Sequence, residues 1–416
     1  MSRFELLAPA GDLERLRAAL RFGADAVYVG GPMLQLRAGS AGFSMENLAE
    51  AVRLTHERGK RIYVAVNAFA DDADIAAAGD YARSLAALGA DGAIISDLGV
   101  ISEFRRCAPE LPVHVSTQAN CLNAAAARVY HDLGVRRVVL GREMTLDQIK
   151  ALRDGVSDDL ELEAFVHGAM CMSYSGRCMI SAYLTGRSGN RGACTQSCRW
   201  SYHLMEETRP GEYFPVEEDE RGTTILSSFD LNCLEFLDQL MDAGVTSFKL
   251  EGRMKSPYYV ATVANAYRRR IDAILGGTAT PEHTALLLRE LDCASHRPYA
   301  SGFYFGEMKR HAPAEGPYLQ DAVFVGTVIG AEGGRVTLEL RNRIQAGDRL
   351  ELLSPNSLGE SFIVRNIRSA SGEALDAAVV PGERYSMECE CAVEPGDLLR
   401  RRISNVKKGL PGSNEP

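Results

Sequence analysis

The chain has 416 residues, of which 46% are hydrophobic and 24% charged, a globular composition that excludes a disordered or fibrous protein and suffices for one large core plus a smaller domain. A net charge of -9 at pH 7 excludes polyanion binding through bulk charge, so any nucleic-acid contact needs a local basic patch. Glu5 and Asp12 interrupt what would have to be the apolar heart of an export signal, and no later stretch is long and apolar enough for a membrane span. The expectation is a soluble cytoplasmic protein with no membrane partner.

Up to residue 276 one theme repeats: a short apolar run, a polar loop, then a helix-period stretch rich in Ala, Leu and Arg. The runs Glu5–Ala8, Ala26–Gly30, Arg61–Val66, Ala93–Ser96, Val113–Ser116, Arg137–Leu140, Leu162–Val166 and Ser247–Leu250 read as strands. Helices are expected over Leu13–Phe22, Met45–Arg58, Ile75–Leu88, Asn123–Leu133, Leu146–Asp154, Asn232–Ala243 and Tyr258–Leu275. Eight such units predict an α/β fold, a (β/α)8 TIM-like barrel over residues 1–280, with an open doubly wound sheet as the alternative. No G-x-G-x-x-G follows the first strand, which weighs against the open sheet. A barrel places chemistry at the C-terminal ends of its strands, where Pro9, Gly11, Asn67, Asp97, Thr117, Gln118, Arg142, Glu143, His167 and Glu251–Arg253 fall.

The spacing breaks between the seventh and eighth strands, where a cysteine-rich insertion at about 168–228 intervenes. Residues 281–320 read as a linker. Alternating runs at Val323–Ile329, Arg335–Leu340, Arg349–Leu353, Ser361–Ile367 and Glu388–Val393 then predict a small antiparallel β-barrel domain over 321–402. A tail follows from 403, and Arg400–Arg402 with Lys407 and Lys408 reads as a basic disordered end. Arg268–Arg270 reads mainly as a solvated helix face, and the acidic run from Glu206 to Glu220 as an exposed hairpin.

Four of the ten cysteines, Cys171, Cys178, Cys194 and Cys198, cluster in the insertion with C-x6-C-x15-C-x3-C spacing. A chain without an export signal keeps its thiols reduced, so clustered cysteines point to metal rather than disulfides. The spacing fits zinc ribbons poorly without excluding zinc, and iron–sulfur clusters also take four thiolates from irregular loops. Residues 171–202 contain Arg177, Arg187, Arg191 and Arg199 and no acidic residue, surroundings that suit an anionic centre. The same arginines, with Tyr174, Trp200 and Tyr202, equally suit phosphates and unpaired bases. A 4Fe-4S cluster, structural zinc and four unliganded thiols are the alternatives.

Residues 161–181, ELEAFVHGAMCMSYSGRCMIS, resemble the signature of the collagenase-like peptidase family of unassigned mechanism. LAPAGDLE at 7–14, DAVYVG at 25–30, HVSTQAN at 114–120, GNRG at 189–192 and SFKLEGRMKS at 247–256 extend the resemblance over the barrel, and the C-terminal segment resembles the family's elongation-factor-like appendage. Better understood branches of that family carry out oxygen-independent hydroxylation of ubiquinone precursors, ribosomal RNA or tRNA. The chain most resembles the tRNA branch. That resemblance implies 5-hydroxyuridine formation at the wobble position, prephenate as hydroxyl donor, a 4Fe-4S cluster on Cys171, Cys178, Cys194 and Cys198, and room for a paralogous partner subunit. Ubiquinone-branch relatives place one ligand elsewhere, which makes Cys233 a reserve for Cys198.

On this reading His167, Lys249 and Glu251 are the catalytic candidates. Strand alternation sends Lys249 and Glu251 to one side, although a buried Lys–Glu pair closing the barrel is the structural alternative. Arg253, Arg142 and Arg37 are candidates to clamp a dicarboxylate, because a guanidinium fork matches carboxylate geometry. Gln118 and Asn120 suit a ring hydroxyl or base edge, or else cap the following helix. A peptidase is the competing function, but neither H-E-x-x-H nor G-x-S-x-G occurs, and a Cys171–His167 pair lacks an orienting third group. A cluster-bearing RNA-binding protein without catalysis is a further alternative.

Overall fold

A computed structural model describes residues 4–36, 42–171, 178, 180–197, 217–219, 222–224, 229–306 and 318–403. In chain order they form β1 (Glu5–Pro9), α1 (Leu13–Arg21), β2 (Ala26–Gly30), α2 (Met45–His56), β3 (Arg61–Val66), α3 (Asp72–Leu88), β4 (Gly92–Ile95), α4 (Leu98–Cys107), β5 (Val113–Val115), α5 (Ala124–Asp132), β6 (Arg137–Val139), α6 (Leu146–Asp154) and β7 (Glu161–Ala169). Then come α7 (Ile180–Thr185), β8 (Glu217–Asp219), β9 (Gly222–Thr224), β10 (Asp230–Asn232), α8 (Leu237–Asp242), β11 (Ser247–Leu250), α9 (Pro257–Leu275), α10 (Pro281–Leu291) and β12 (Tyr299–Ala300).

Strands β1 to β7 pair in order and in parallel, and β11 pairs in parallel with both β7 and β1. This closes the expected (β/α)8 barrel with β11 as its eighth strand. Its strands are apolar runs because helices cover their outer face and side chains fill the interior; Ala26–Gly30 is buried throughout. The helices start where an oxygen-bearing side chain satisfies free backbone amides: Asp12, Ser44, Asp71, Asp97, Asn123, Thr145 and Ser256 each cap one.

Beyond the barrel, β10 runs antiparallel to the end of β7, placing Asn232 opposite His167 and Asp230 opposite Ala169, and β12 pairs with β10. Glu217–Asp219, inside the acidic run read as a hairpin, pairs antiparallel with Gly222–Thr224 just beyond it, and the rest of that run lies outside the described residues.

Several sequence expectations change. Helix α4 was not anticipated; its Asp97 cap, which was placed among the rim residues, starts it. Asn232–Ala243 is not one helix, since Asn232 ends β10 and only Leu237–Asp242 is α-helical. The stretch read as a linker holds α10 and β12. Arg268–Arg270 is not a solvated face: Arg268 pairs with Asp25 at 2.8 Å, and buried Arg270 donates to the carbonyl oxygens of Leu234 and Glu235 at 3.0 and 3.2 Å.

Residues Met1–Leu288 with His296–Tyr318 form one compact unit, and Arg289–Ser295 with Leu319–Pro416 the other. The second carries β13 (Ala322–Glu332), β14 (Arg335–Leu340), β15 (Ile344–Gln345), β16 (Arg349–Leu353), β17 (Leu358–Ile363), β18 (Ile367–Ser369), β19 (Ala374–Leu375), β20 (Ala377–Ala378), β21 (Arg384–Glu388) and β22 (Leu398–Arg402). Eight of these form one antiparallel sheet, and β15 pairs with β20. Alternate residues such as Val336, Leu338 and Leu340 build its core. The expected strand Ser361–Ile367 is split between β17 and β18, and that at Glu388–Val393 lies earlier, at β21. Arg400–Arg402 belongs to β22 rather than to a disordered tail. Arg400 is fully buried and bound to Glu290 at 2.7 Å and Glu351 at 3.0 Å.

Candidate active site at the barrel mouth

Alternation along the barrel strands turns charged side chains inward, where they must pair. Arg137 Nη1 meets Glu5 at 2.6 Å and Glu163 at 2.9 Å, and Tyr63 Oη donates to Glu5 at 2.8 Å. Lys249 Nζ binds Glu163 at 2.7 Å, with Glu163 itself inaccessible to solvent. Two carboxylates thus neutralise two cations inside the barrel. Burial opposes ionisation of Glu5, yet the Arg137 charge and hydrogen bonds hold its carboxyl below the usual range. Burial likewise lowers Lys249, with Glu163 opposing that shift. Lys249 was expected beside Glu251; its direct partner is Glu163 on the neighbouring strand.

Above this layer, aromatic rings carry cations. Lys249 Nζ lies 4.6 Å from the Tyr28 ring centre and 5.4 Å from that of Phe165. Arg142 stacks over Phe165 at 3.8 Å, donates to the Ala169 carbonyl at 2.9 Å and faces Glu251 at 3.6 Å. Arg253 is buried, donates to Gln35 Oε1 at 3.1 Å and lies 6.0 Å from the Tyr28 ring centre. This packing requires Gly30: a Cβ there would stand 1.8 Å from Gln35 Oε1 and 2.5 Å from Arg253 Nη1. Arg142, Lys249, Glu251 and Arg253 therefore gather at one mouth, whereas Arg37 lies outside the described residues.

His167, near the end of β7, is 1% exposed, with its ring 5.4 Å from that of Tyr267, 5.3 Å from Tyr299 and 6.1 Å from Tyr259. Burial lowers its imidazole to about 3, so it is neutral at ordinary pH. Its Nε2 has no hydrogen-bond partner among the described residues, so it makes no thiol–imidazole pair there. Its carbonyl accepts from the Glu251 amide at 2.8 Å, coupling the two candidates through backbone. Gln118 and Asn120 do not cap the next helix, whose cap is Asn123, and their side-chain oxygens, like that of Asn67, are buried without a partner among the described residues.

Cys171 and Cys194 are exposed free thiols and Cys178 is half-buried; Cys198 lies outside the described residues. Among the described residues no three metal-ligating side chains come together. The donor chemistry nevertheless suits a soft metal: Cys171, Cys178 and Cys194 form no disulfide among the described residues, and the Gln196 amide donates to Cys194 Sγ at 3.4 Å, as amides do around thiolate-bound centres. Cys233 differs, being fully buried with its thiol pushed well up by burial. Arg191 fixes the insertion to the far rim, 3.0 Å from both Asp71 and Asp74 and 3.2 Å from the Phe69 carbonyl. These follow β3, which stands opposite β7 in the ring, so Arg191 anchors the insertion on the rim opposite the strand it leaves.

Sequence reading missed Gln35, Tyr28, Phe165 and Glu163. Glu163 was detectable as a charge inside an apolar run, and Tyr28 and Phe165 by strand parity; nothing local marks Gln35.

No helix among the described residues is long and apolar enough to cross a membrane. Residues 11–312 match peptidase family U32, and residues 320–400 match the peptidase family U32 C-terminal domain. The chain is 36% identical to tRNA hydroxylation protein P1 of Bacillus subtilis (strain 168), covering 95% of this chain and 94% of that one. It is also 36% identical to tRNA hydroxylation protein P of Escherichia coli (strain K12), covering 93% of each. The 23S rRNA 5-hydroxycytidine C2501 synthase of the latter organism is 38% identical over 66% of this chain but only 40% of its own length. With both its barrel and its C-terminal domain matched, this chain belongs to peptidase family U32.

Proposed function

We propose that the chain is a tRNA-hydroxylating enzyme that forms 5-hydroxyuridine at the wobble position without oxygen, taking the hydroxyl from prephenate and carrying a 4Fe-4S cluster. The observation that carries this reading is likeness, across both domains, to two tRNA hydroxylation proteins at 36% identity. The mouth adds chemical support. Arg142 and Arg253, held on aromatic faces, suit the two carboxylates of the donor. Glu251, beside Arg142, is placed to hold a proton during transfer, and neutral His167 offers Nε2 as a hydrogen-bonding atom. Lys249, locked to Glu163, positions the Tyr28 and Phe165 rings.

Cys171, Cys178, Cys194 and Cys198 would hold the cluster, which supplies redox or Lewis-acid chemistry when bound. A paralogous subunit is compatible with this scheme. The peptidase reading gains nothing here, because His167 activates no thiol among the described residues. The test is anaerobic purification followed by iron, sulfide and visible-absorption measurements, then incubation with tRNA and prephenate and mass analysis of nucleosides. Brown protein whose absorption is lost in Cys171→Ser and in Cys194→Ser, and which forms 5-hydroxyuridine, is expected. Colourless protein with stoichiometric zinc refutes the cluster.

A further inference from the structure

We propose that Asn67, Gln118 and Asn120 form a neutral pocket for a pyrimidine base, and that the target base presents its Watson–Crick edge to these carboxamides. This deepens the tRNA reading and rests on it. Each residue follows a barrel strand on the mouth side, Asn67 after β3 and Gln118 and Asn120 after β5, and each has a buried side-chain oxygen without a partner among the described residues. Buried acceptors are normally paired, so three orphans on one arc point to a ligand that brings donors.

Local structure does not account for them. Ser116 caps the turn holding Gln118, and Asn123 caps α5. Asn120 is in the left-handed region, with φ 58°, its amide donating to the Thr117 carbonyl at 3.1 Å. Asn67 shares strand parity with Tyr63, which reaches Glu5 inside the barrel, and its carbonyl accepts from Ser96 Oγ at 3.1 Å. The strand end is therefore fixed while the carboxamide oxygen is left unpaired.

Charge separates this arc from the rest of the mouth. No Lys or Arg stands in the segments that directly follow β3, β4 and β5, at 67–70, 96–97 and 116–121, whereas Arg142 follows β6 and Arg253 follows β11. Arg191 reaches this side at the Phe69 carbonyl with its charge met by Asp71 and Asp74 at 3.0 Å, so the cationic side suits carboxylates and the carboxamides of Asn67, Gln118 and Asn120 suit an uncharged ring. Uracil offers one ring N–H between two carbonyls, and a carboxamide sets an acceptor beside an amino donor, so the two pair edge to edge. Donor and base then occupy opposite sides of one mouth.

The experiment uses the anaerobically purified full chain with tRNA and prephenate. Gln118→Met and Asn67→Leu remove hydrogen bonding at similar volume, and each is expected to lower kcat/KM for tRNA about tenfold while leaving KM for prephenate unchanged. Unaltered protein provides the second arm: tRNA carrying N3-methyluridine at the target position, which lacks the ring N–H, is expected to be modified at least about tenfold more slowly. Folded variants with unchanged kcat/KM for tRNA, or N3-methyluridine processed as fast as uridine, overturn the inference. Unaltered protein that modifies no tRNA refutes the underlying reading, and the inference with it.

Discussion

Glu163 accepts hydrogen bonds from Lys249, Arg137 and Ser247 with no access to solvent, so its charge is compensated only by these neighbours. Replacing one member of a buried ionic group leaves the others uncompensated, at about 3–5 kcal/mol. Glu163→Gln is therefore expected to lower the unfolding free energy from urea titration by that order, and an unchanged midpoint would show that the network contributes little. His167 sets a pH dependence. Its folded value of about 3 lies below the ordinary 6.5, so the unfolded chain binds the extra proton and stability falls as pH drops from 6.5 toward 3. At pH 5 the loss from this group is about 2 kcal/mol, and buried His114 shifts in the same direction. Urea midpoints measured at pH 7.5 and 5 should differ less in His167→Gln than in the parent; an equal difference removes His167 as the cause.

At the scale of elements, the end of β7 is where the fold meets the candidate chemistry. Gly168 has φ 103°, and a Cβ there would stand 2.6 Å from the Glu251 carbonyl oxygen, so the strand can approach the segment after β11 only through glycine. Gly168→Ala is expected to cost about 1–3 kcal/mol by thermal melting and to displace Glu251, lowering activity; full stability and activity would show that this approach is dispensable. The same strand end is held by β10, where Asp230 binds Arg297 at 2.8 Å and both are buried. Eight barrel strands were legible because each is an apolar run between turn signals. Their charged interior was harder to read, since Lys249 and Glu163 lie 86 residues apart and meet only when β11 closes against β7. Arg270 was misread for a related reason: its partners Leu234 and Glu235 contribute backbone carbonyls, which leave no mark in sequence.

Across the whole molecule, the proposed action of an acidic chain on tRNA requires recognition to be concentrated in a small area. The mouth carries arginines on one arc and carboxamides on the other, with the cysteine insertion anchored at the rim by Arg191. Candidate rim residues were legible from strand ends, but whether four thiolates share one centre was not, because their convergence depends on the path of the insertion, and Cys198 lies outside the described residues. The most direct test of tRNA hydroxylation is mass spectrometry of tRNA nucleosides from a strain lacking this gene and any paralogue. 5-Hydroxyuridine is expected to disappear, to return with the intact gene and to stay absent with Cys171→Ser. An undiminished 5-hydroxyuridine level in the deleted strain would contradict it.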